Sequence, residues 1–215
     1  LQGTYRLTST DVVRRADGGA LAAPGAPLGA GGSRVAQLEL GALWDTRDNV
    51  FAPERGALVQ LVGARADRLV WSQVGFWRGT LDARAYRAVG PRTVLAAQLF
   101  ADAAAGDVPF DQLPQVGGAT VLRGYLRGRW RDAVLGAAQV EVRQELPWRL
   151  GLVAWGGAGG VGPTLARAVD APALLPTYGL GVRWMLLPRE RASLRLDVAR
   201  GRGATGLYVG FAEAF

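Results

Sequence analysis

Apolar and polar positions alternate one by one along almost the whole chain. A period of two is the mark of a strand with one apolar face and one polar face. Between 34 and 47, Ala36, Leu38, Leu40, Ala42 and Trp44 share one face, and Gln37, Glu39, Asp45 and Arg47 share the other. Between 70 and 87, Trp71, Trp77, Leu81, Ala83 and Ala85 oppose Ser72, Arg78, Thr80, Asp82 and Arg84, with Gln73 out of phase. Between 134 and 148, Val134, Ala138, Val140, Val142, Leu146 and Trp148 oppose Gln139, Glu141, Arg143 and Glu145. The runs 92–102, 177–187, 192–200 and 205–215 alternate in the same way, and 1–14, 57–66 and 150–160 do so more weakly. The pattern predicts an all-β chain of about ten antiparallel strands.

The connections alternate in length as well. Short turns with Pro or Gly fall at 53–56, 90–91, 147–151 and 188–190. Longer polar or glycine-rich loops fall at about 16–33, 103–132, 161–176 and 200–205, and the connection near 67–69 is a short exception. Short turns at one rim and longer loops at the other are the habit of a transmembrane β-barrel. Strands of roughly ten residues suit a tilted membrane span, and ten of them place Leu1 and Phe215 at the short-turn rim. Trp44, Trp71, Trp148, Trp184 and Phe215 lie near strand ends, where an interfacial aromatic girdle is expected. A soluble antiparallel barrel or sandwich would alternate too, but it would have to hide every apolar face in one core. The polar faces here carry both charge signs and many small residues, so the membrane barrel is the preferred reading.

Composition narrows the chemistry. The length of 215 residues suits one domain. The most apolar stretch, 150–166, is broken by glycines and Pro163, so no transmembrane helix is expected. The chain has no Cys and no His, which removes the usual nucleophile–base sets and the commonest metal ligand. Glu141 and Glu145, four apart on a strand, stand about 13 Å apart, too far for either glycosidase geometry. The glycine-rich 156–162 is not followed by a helical pattern, which argues against a phosphate loop. No catalytic set, metal site or cofactor is expected. All 25 basic residues are Arg and the net charge is +7. They alternate with apolar residues instead of clustering, which points to a barrel interior and to anionic lipid head groups, and not to nucleic acid. The opening residues Leu1 to Tyr5 show no basic or apolar leader segment, so an export signal is expected to have been removed or to lie outside this sequence.

Several local motifs resemble the outer-membrane assembly and secretion barrels, the superfamily of BamA, TamA, the two-partner secretion transporters and the bacterial surface antigens. Residues 44–56, Trp-Asp-Thr-Arg-Asp-Asn-Val-Phe-Ala-Pro-Glu-Arg-Gly, are similar to the family's strand and periplasmic turn. Residues 117–125, Gly-Gly-Ala-Thr-Val-Leu-Arg-Gly-Tyr, resemble its signature loop, and Glu141-Val142-Arg143 falls on the strand that follows. Leu194-Arg195-Leu196-Asp197 is similar to the penultimate strand, and the ending through Tyr208, Phe211 and Phe215 resembles the C-terminal targeting strand. Leu207, Val209, Phe211 and Phe215 are expected on one face, interrupted by Glu213. Together the motifs run from about Val35 to Phe215. One departure stands out: Gly157 occupies the position where the family often has an Asp. The family's barrels have about 16 strands, preceded by periplasmic domains, so this chain is expected to be a shortened barrel or the C-terminal part of a larger one.

The resemblance implies a bacterial outer-membrane location and a role in inserting proteins into that membrane or exporting them across it. The partners it implies are outer-membrane lipid, unfolded barrel or secreted client proteins, and periplasmic or accessory subunits. It also implies that loop 103–132 folds into the lumen, where its arginine meets an interior acid. Arg123, Arg127, Arg129 and Arg131 crowd this loop, with Gly124 and Gly128 to turn the backbone. A guanidinium matches a carboxylate through two parallel hydrogen bonds. Arg123, flanked by Gly124 and Tyr125, is expected to pair with Glu141, the more so without an acid at 157. The alternative leaves Arg123 in a solvated outer loop and pairs Glu141 with Arg143, Arg183 or Arg195. Arg143, Glu145, Arg195 and Asp197 are expected as lumen charges. Gly201, Gly203, Gly206 and Gly210 would weaken pairing of the last strand. A passive pore, and a barrel anchoring a larger protein, are the other function classes the pattern allows.

Overall fold

A computed structural model describes residues 1–13, 21 and 23–215; the remainder of the 16–33 connection lies outside the described residues. Ten strands form one sheet in sequence order, every neighbouring pair antiparallel. They are β1 (Gln2–Thr10), β2 (Ser33–Asp45), β3 (Gly56–Ala66), β4 (Phe76–Gly90), β5 (Thr93–Gly106), β6 (Val134–Glu145), β7 (Leu150–Gly162), β8 (Leu175–Leu187), β9 (Ala192–Gly201) and β10 (Ala204–Phe211). One helical turn, α1 (Leu165–Ala168), sits in the β7–β8 connection. No helix among the described residues is long and apolar enough to cross a membrane.

The strand boundaries explain where the alternation failed. Asp67 accepts a hydrogen bond from the Leu69 amide and starts a 3-10 turn over Arg68–Val70, which ends at Trp71 in the left-handed region. Ser72 and Gln73 therefore belong to the connection, and β4 begins only at Phe76. The out-of-phase Gln73 marks that boundary. At the other end of the next hairpin, β5 runs on to Gly106, so the following loop is 107–133.

Each strand sends one face outward. Exposed apolar side chains occur on all ten, with Leu180 69% and Val209 71% exposed at mid-strand. A continuous apolar exterior of this kind is stable against hydrocarbon and costly against water. Trp44, Trp71, Trp148 and Trp184 stand exposed near the strand ends, as a girdle requires. Phe215 does not join them. β10 ends at Phe211, Ala212 takes a positive φ, and the tail turns inward. Phe215 is 3% exposed and packs with Tyr86, Ala96 and Ala214.

No strand pairing joins β1 to β10 among the described residues. The two ends of the sheet are tied in other ways. At the short-turn rim the β2–β3 connection reaches the far end: Asn49 Nδ2 donates to the Glu190 carbonyl at 3.1 Å, and the Phe51 carbonyl accepts from the Glu213 amide at 3.1 Å. Phe51 meets Phe211 edge to face at 6.0 Å, and Arg191 pairs with both Asp48 and Glu54. Through the interior, loop 107–133 spans from one end to the other. Asp111 accepts from Thr10 at 2.8 Å, while the Gly124 amide donates to Tyr208 Oη at 2.8 Å. On the β1–β5 side this loop leaves a polar cavity of about 790 Å³, lined among others by Arg6, Glu39, Arg78 and Asp102.

The exterior is tested by placing charge on it. Leu180→Arg is expected to cost about 2–4 kcal/mol of folding stability in phospholipid vesicles, measured by urea titration; an unchanged midpoint would argue against a lipid-facing β8. The rim contact is tested by pH. Burial opposes the charge on Asp48, but the Glu54 and Arg55 amides and the Arg191 guanidinium outweigh it and hold the carboxyl below its ordinary value. Its contribution is therefore present above the unfolded value of about 4 and disappears as pH falls through the lower folded value. The stability difference between wild type and Asp48→Asn is expected to shrink on acidification below that range. A difference constant down to strong acid would remove Asp48 as an ionised contact.

Candidate functional site

The interior loop is shaped before its arginine is placed. Val116, Leu122 and Tyr125 form a buried cluster with Leu135, Ala137 and Leu175, against which Trp130 packs. Tyr125 and Trp130 meet edge to face at 5.1 Å. The Tyr125 ring lies over Gly201 of β9, where a Cβ would come within 2.5 Å of it. Its hydroxyl donates to the Pro176 carbonyl at 2.5 Å and accepts from the Arg202 amide at 2.7 Å. Gly124 has φ +103, and a Cβ there would stand 2.9 Å from the backbone of Arg200 and Gly201. The backbone thus lies directly on the wall at this point, a closeness that glycine alone permits. Leu122 also takes a positive φ, and the Arg123 carbonyl accepts from Thr177 Oγ1.

Held in this way, Arg123 points into the β6–β9 wall and is fully buried. Its Nη2 lies 2.5 Å from Glu141 and its Nη1 2.6 Å from Asp197. The guanidinium also stacks over Trp155 of β7 at 3.6 Å from the ring centroid, a cation–π contact strengthened by desolvation. Gly179 of β8 leaves the room that the Trp155 ring occupies. Glu141 accepts further from Arg143 at 2.8 Å, Asp197 from Arg183 at 2.6 Å, and Arg183 also reaches Glu213 at 2.7 Å. The result is an alternating row, Arg143–Glu141–Arg123–Asp197–Arg183–Glu213, from β6 through the loop to β9, β8 and the tail. Arg195 stands beside it, 3.6 Å from Asp197, with Nε and Nη1 free of hydrogen bonds.

Gln139 is a second anchor. Its Nε2 donates to the Thr120 carbonyl at 2.5 Å and to Gln98 at 2.6 Å, and its Oε1 accepts from the Leu122 amide at 3.3 Å. Gly157 lies across from it on β7. A Cβ at 157 would come within 2.6 Å of the Gln139 Cβ, so this backbone leaves no room for an acid there. The second carboxylate on Arg123 comes instead from Asp197.

Of the residues singled out from sequence, the structure brings Arg123, Gly124, Tyr125, Glu141, Arg143 and Asp197 into one cluster, with Arg195 at its edge. Glu145 lies apart. It shares the inward parity of Glu141 but stands exposed at the end of β6, with no cation within 4.0 Å among the described residues. Tyr208 and Phe211 lie on opposite faces of β10, Tyr208 toward the loop and Phe211 outward. Phe215 departs from the expected outer face, because the strand ends four residues before it. Its carbonyl accepts from Arg143 Nη2 at 2.5 Å, inside the lumen. Sequence reading placed Asp197 on the lumen wall without linking it to Arg123, and it missed Trp155 and Gln139 as loop partners. Inward parity was the available signal for all three; the pairing across strands was not.

The family model described as the Omp85 superfamily domain matches residues 4–202. The chain belongs to the Omp85 superfamily. The match covers all of the wall strands that hold Arg123 and stops just before β10. No curated protein matches the chain. Omp85 superfamily proteins are non-enzymatic barrels of the bacterial outer membrane that serve protein insertion and secretion. The ten-stranded antiparallel sheet with its apolar exterior is consistent with the barrel fold of that superfamily, although no pairing closes it among the described residues.

Removing one member of a buried ion pair strands the charge of its partner. Arg123→Ala is therefore expected to cost about 3–5 kcal/mol, read as loss of heat-modifiable mobility at lower temperature. Arg127→Ala, at an exposed position of the same loop, is expected to change little. Glu141→Gln combined with Arg123→Ala should cost less than the sum of the two single changes. Strict additivity would mean that the two side chains do not act as a unit.

Proposed function

We propose that this chain acts in the bacterial outer membrane, assisting the insertion of barrel proteins into it or their export across it, without enzymatic chemistry. The observation that carries this reading is the interior loop, locked by Arg123 onto carboxylates of β6 and β9. A segment held across the lumen narrows any passive path through it. A segment held by buried ion pairs moves as a unit, since leaving any of its charges alone is costly. In this reading 107–133 is a lumen-facing loop, and the chain is a shortened barrel or the C-terminal part of a larger one. Arg123, Gly124, Tyr125 and Glu141 set the position of the loop. Arg143, Arg195 and Asp197 are its supporting lumen charges, with Glu145 at the rim. Tyr208, Phe211 and Phe215 belong to the terminal targeting segment.

The partners follow from the surfaces. Outer-membrane lipid covers the apolar exterior, and the short-turn rim faces periplasmic or accessory subunits. Unfolded barrel or secreted proteins are the clients. The outer edges of β1 and β10 have no strand partner among the described residues, and a free edge accepts a client strand by backbone pairing. Most arginines of the strands lie beside carboxylates, Arg34, Arg87 and Arg200 excepted, which argues against a basic stripe for nucleic acid among the described residues. The polar cavity beside β1–β5 favours a second reading, a solute pore.

One reconstitution separates the two. Vesicles containing the wild type are expected to speed the folding of an unfolded barrel client, followed by heat-modifiability on gels. Arg123→Ala should lose this effect and Arg127→Ala should keep it. Steady ion conductance with no effect on client folding would shift the assignment to the pore.

A further inference from the structure

A second cavity, of about 100 Å³, opens at the short-turn mouth of the lumen, between the β2–β3, β4–β5 and β6–β7 turns. Its floor is apolar, with Pro53, Val94, Val153 and Met185. Its lining carries five arginines and three glutamates; Arg143, Arg183 and Arg191 also pair with Glu141, Asp197 and Asp48 outside it. Two of the glutamates are already engaged: Glu213 by Arg183 at 2.7 Å, and Glu54 by Arg191. Three cationic groups have unused capacity. Arg92 and Arg149, at the tips of their turns, are exposed and make no ion pair among the described residues. Arg183 is only 4% exposed, lines the cavity, and leaves its Nη2 without a hydrogen-bond partner. Among the described residues Glu145 is the one carboxylate lining the cavity with no cation within 4.0 Å, against two arginines, Arg92 and Arg149, that have no carboxylate.

The β6–β7 turn adds an independent observation. Its central residues, Trp148 and Arg149, both take positive φ, at 60° and 63°. Asn-Gly is the inexpensive choice for such a turn, and bulky side chains there are unusual. Strained backbone of this kind collects at sites with a task. The turn fixes Arg149 at the lip of the cavity.

We propose that this mouth is a binding pocket for a carboxylate on a short apolar stem, of the size of a glutamate side chain or a small organic acid. The stem lies on Pro53, Val94 and Met185, and the carboxylate meets Arg92, Arg149 and the free Nη2 of Arg183. A cavity of this volume holds about three waters, or one such group in their place. Charge-assisted, forked contacts to guanidinium select a carboxylate over an amide. The pocket adjoins the Arg123 cluster through Arg183, Arg143 and Glu213, and the inference does not depend on whether the chain inserts proteins or forms a pore.

The test titrates the purified chain in detergent with a fluorescent short peptide bearing a central Glu, with its Gln counterpart, and with butyrate. The Glu peptide is expected to bind about tenfold or more tightly than the Gln peptide, to weaken with salt, and to be displaced by butyrate. The Arg92→Ala/Arg149→Asn variant keeps a residue tolerant of positive φ in the turn and is expected to lose this preference while retaining wild-type heat-modifiability. Butyrate binding without peptide binding would assign the pocket to a free small acid. Equal affinity for the Glu and Gln peptides with no butyrate binding would overturn the proposal. So would an undiminished preference in the double variant.

Discussion

A guanidinium with no access to water must find its counter-charges inside the protein. Arg123 finds two, Glu141 on β6 and Asp197 on β9. Neither carboxylate faces the arginine alone, for Arg143 and Arg183 close the row on either side. Desolvating so many charges is unfavourable by itself, and the arrangement holds only because each has a partner in good geometry. The loop that carries Arg123 is bound by the same condition. Its register along the wall is specified by where those carboxylates stand.

Small residues make this close approach possible. Gly124 lets the loop backbone touch β9, Gly201 receives the Tyr125 ring, and Gly179 receives Trp155. Each aromatic ring fills a recess that a Cβ would close. The loop and the wall therefore fit as one packed layer on the β6–β10 side, while the β1–β5 side keeps a polar cavity. The interior is divided into a closely packed half and a half that keeps a polar cavity. A protein that must hold one segment and still admit another has use for both.

The same loop also compensates for the lack of pairing between β1 and β10. It reaches β1 through Asp111 and β10 through Tyr208. At the opposite rim the β2–β3 turn, Arg191 and the inturned tail make the matching connection. Curvature of the sheet is thus held by side chains and loops at both rims and across the lumen. Membership of the Omp85 superfamily gives this architecture its context, since barrels of that superfamily serve protein insertion and secretion.

Much of this was legible without coordinates. Alternation, clear in seven runs and weaker in 1–14, 57–66 and 150–160, pointed to about ten strands, because a sheet between lipid and a polar interior has to change polarity at every residue. Connection lengths assigned the two rims, and the inward parity of Arg143, Arg195 and Asp197 assigned them to the lumen wall. The failures have one cause. Parity gives a face, not a partner. Asp197 lies 74 positions from Arg123, and only the curvature that brings β6, β9 and the loop together joins them. Glu145 has the parity of Glu141 but stands where the strand ends. Phe215 continues an apolar series, yet the strand stops at Phe211 and the tail turns toward Tyr86. The sequence by itself determined the strands, their faces and the membrane-facing exterior, since these depend on neighbours one or two residues away. Which buried charges meet was decided only by the tertiary structure, since ion pairing depends on distance in space across strands that share no local signal.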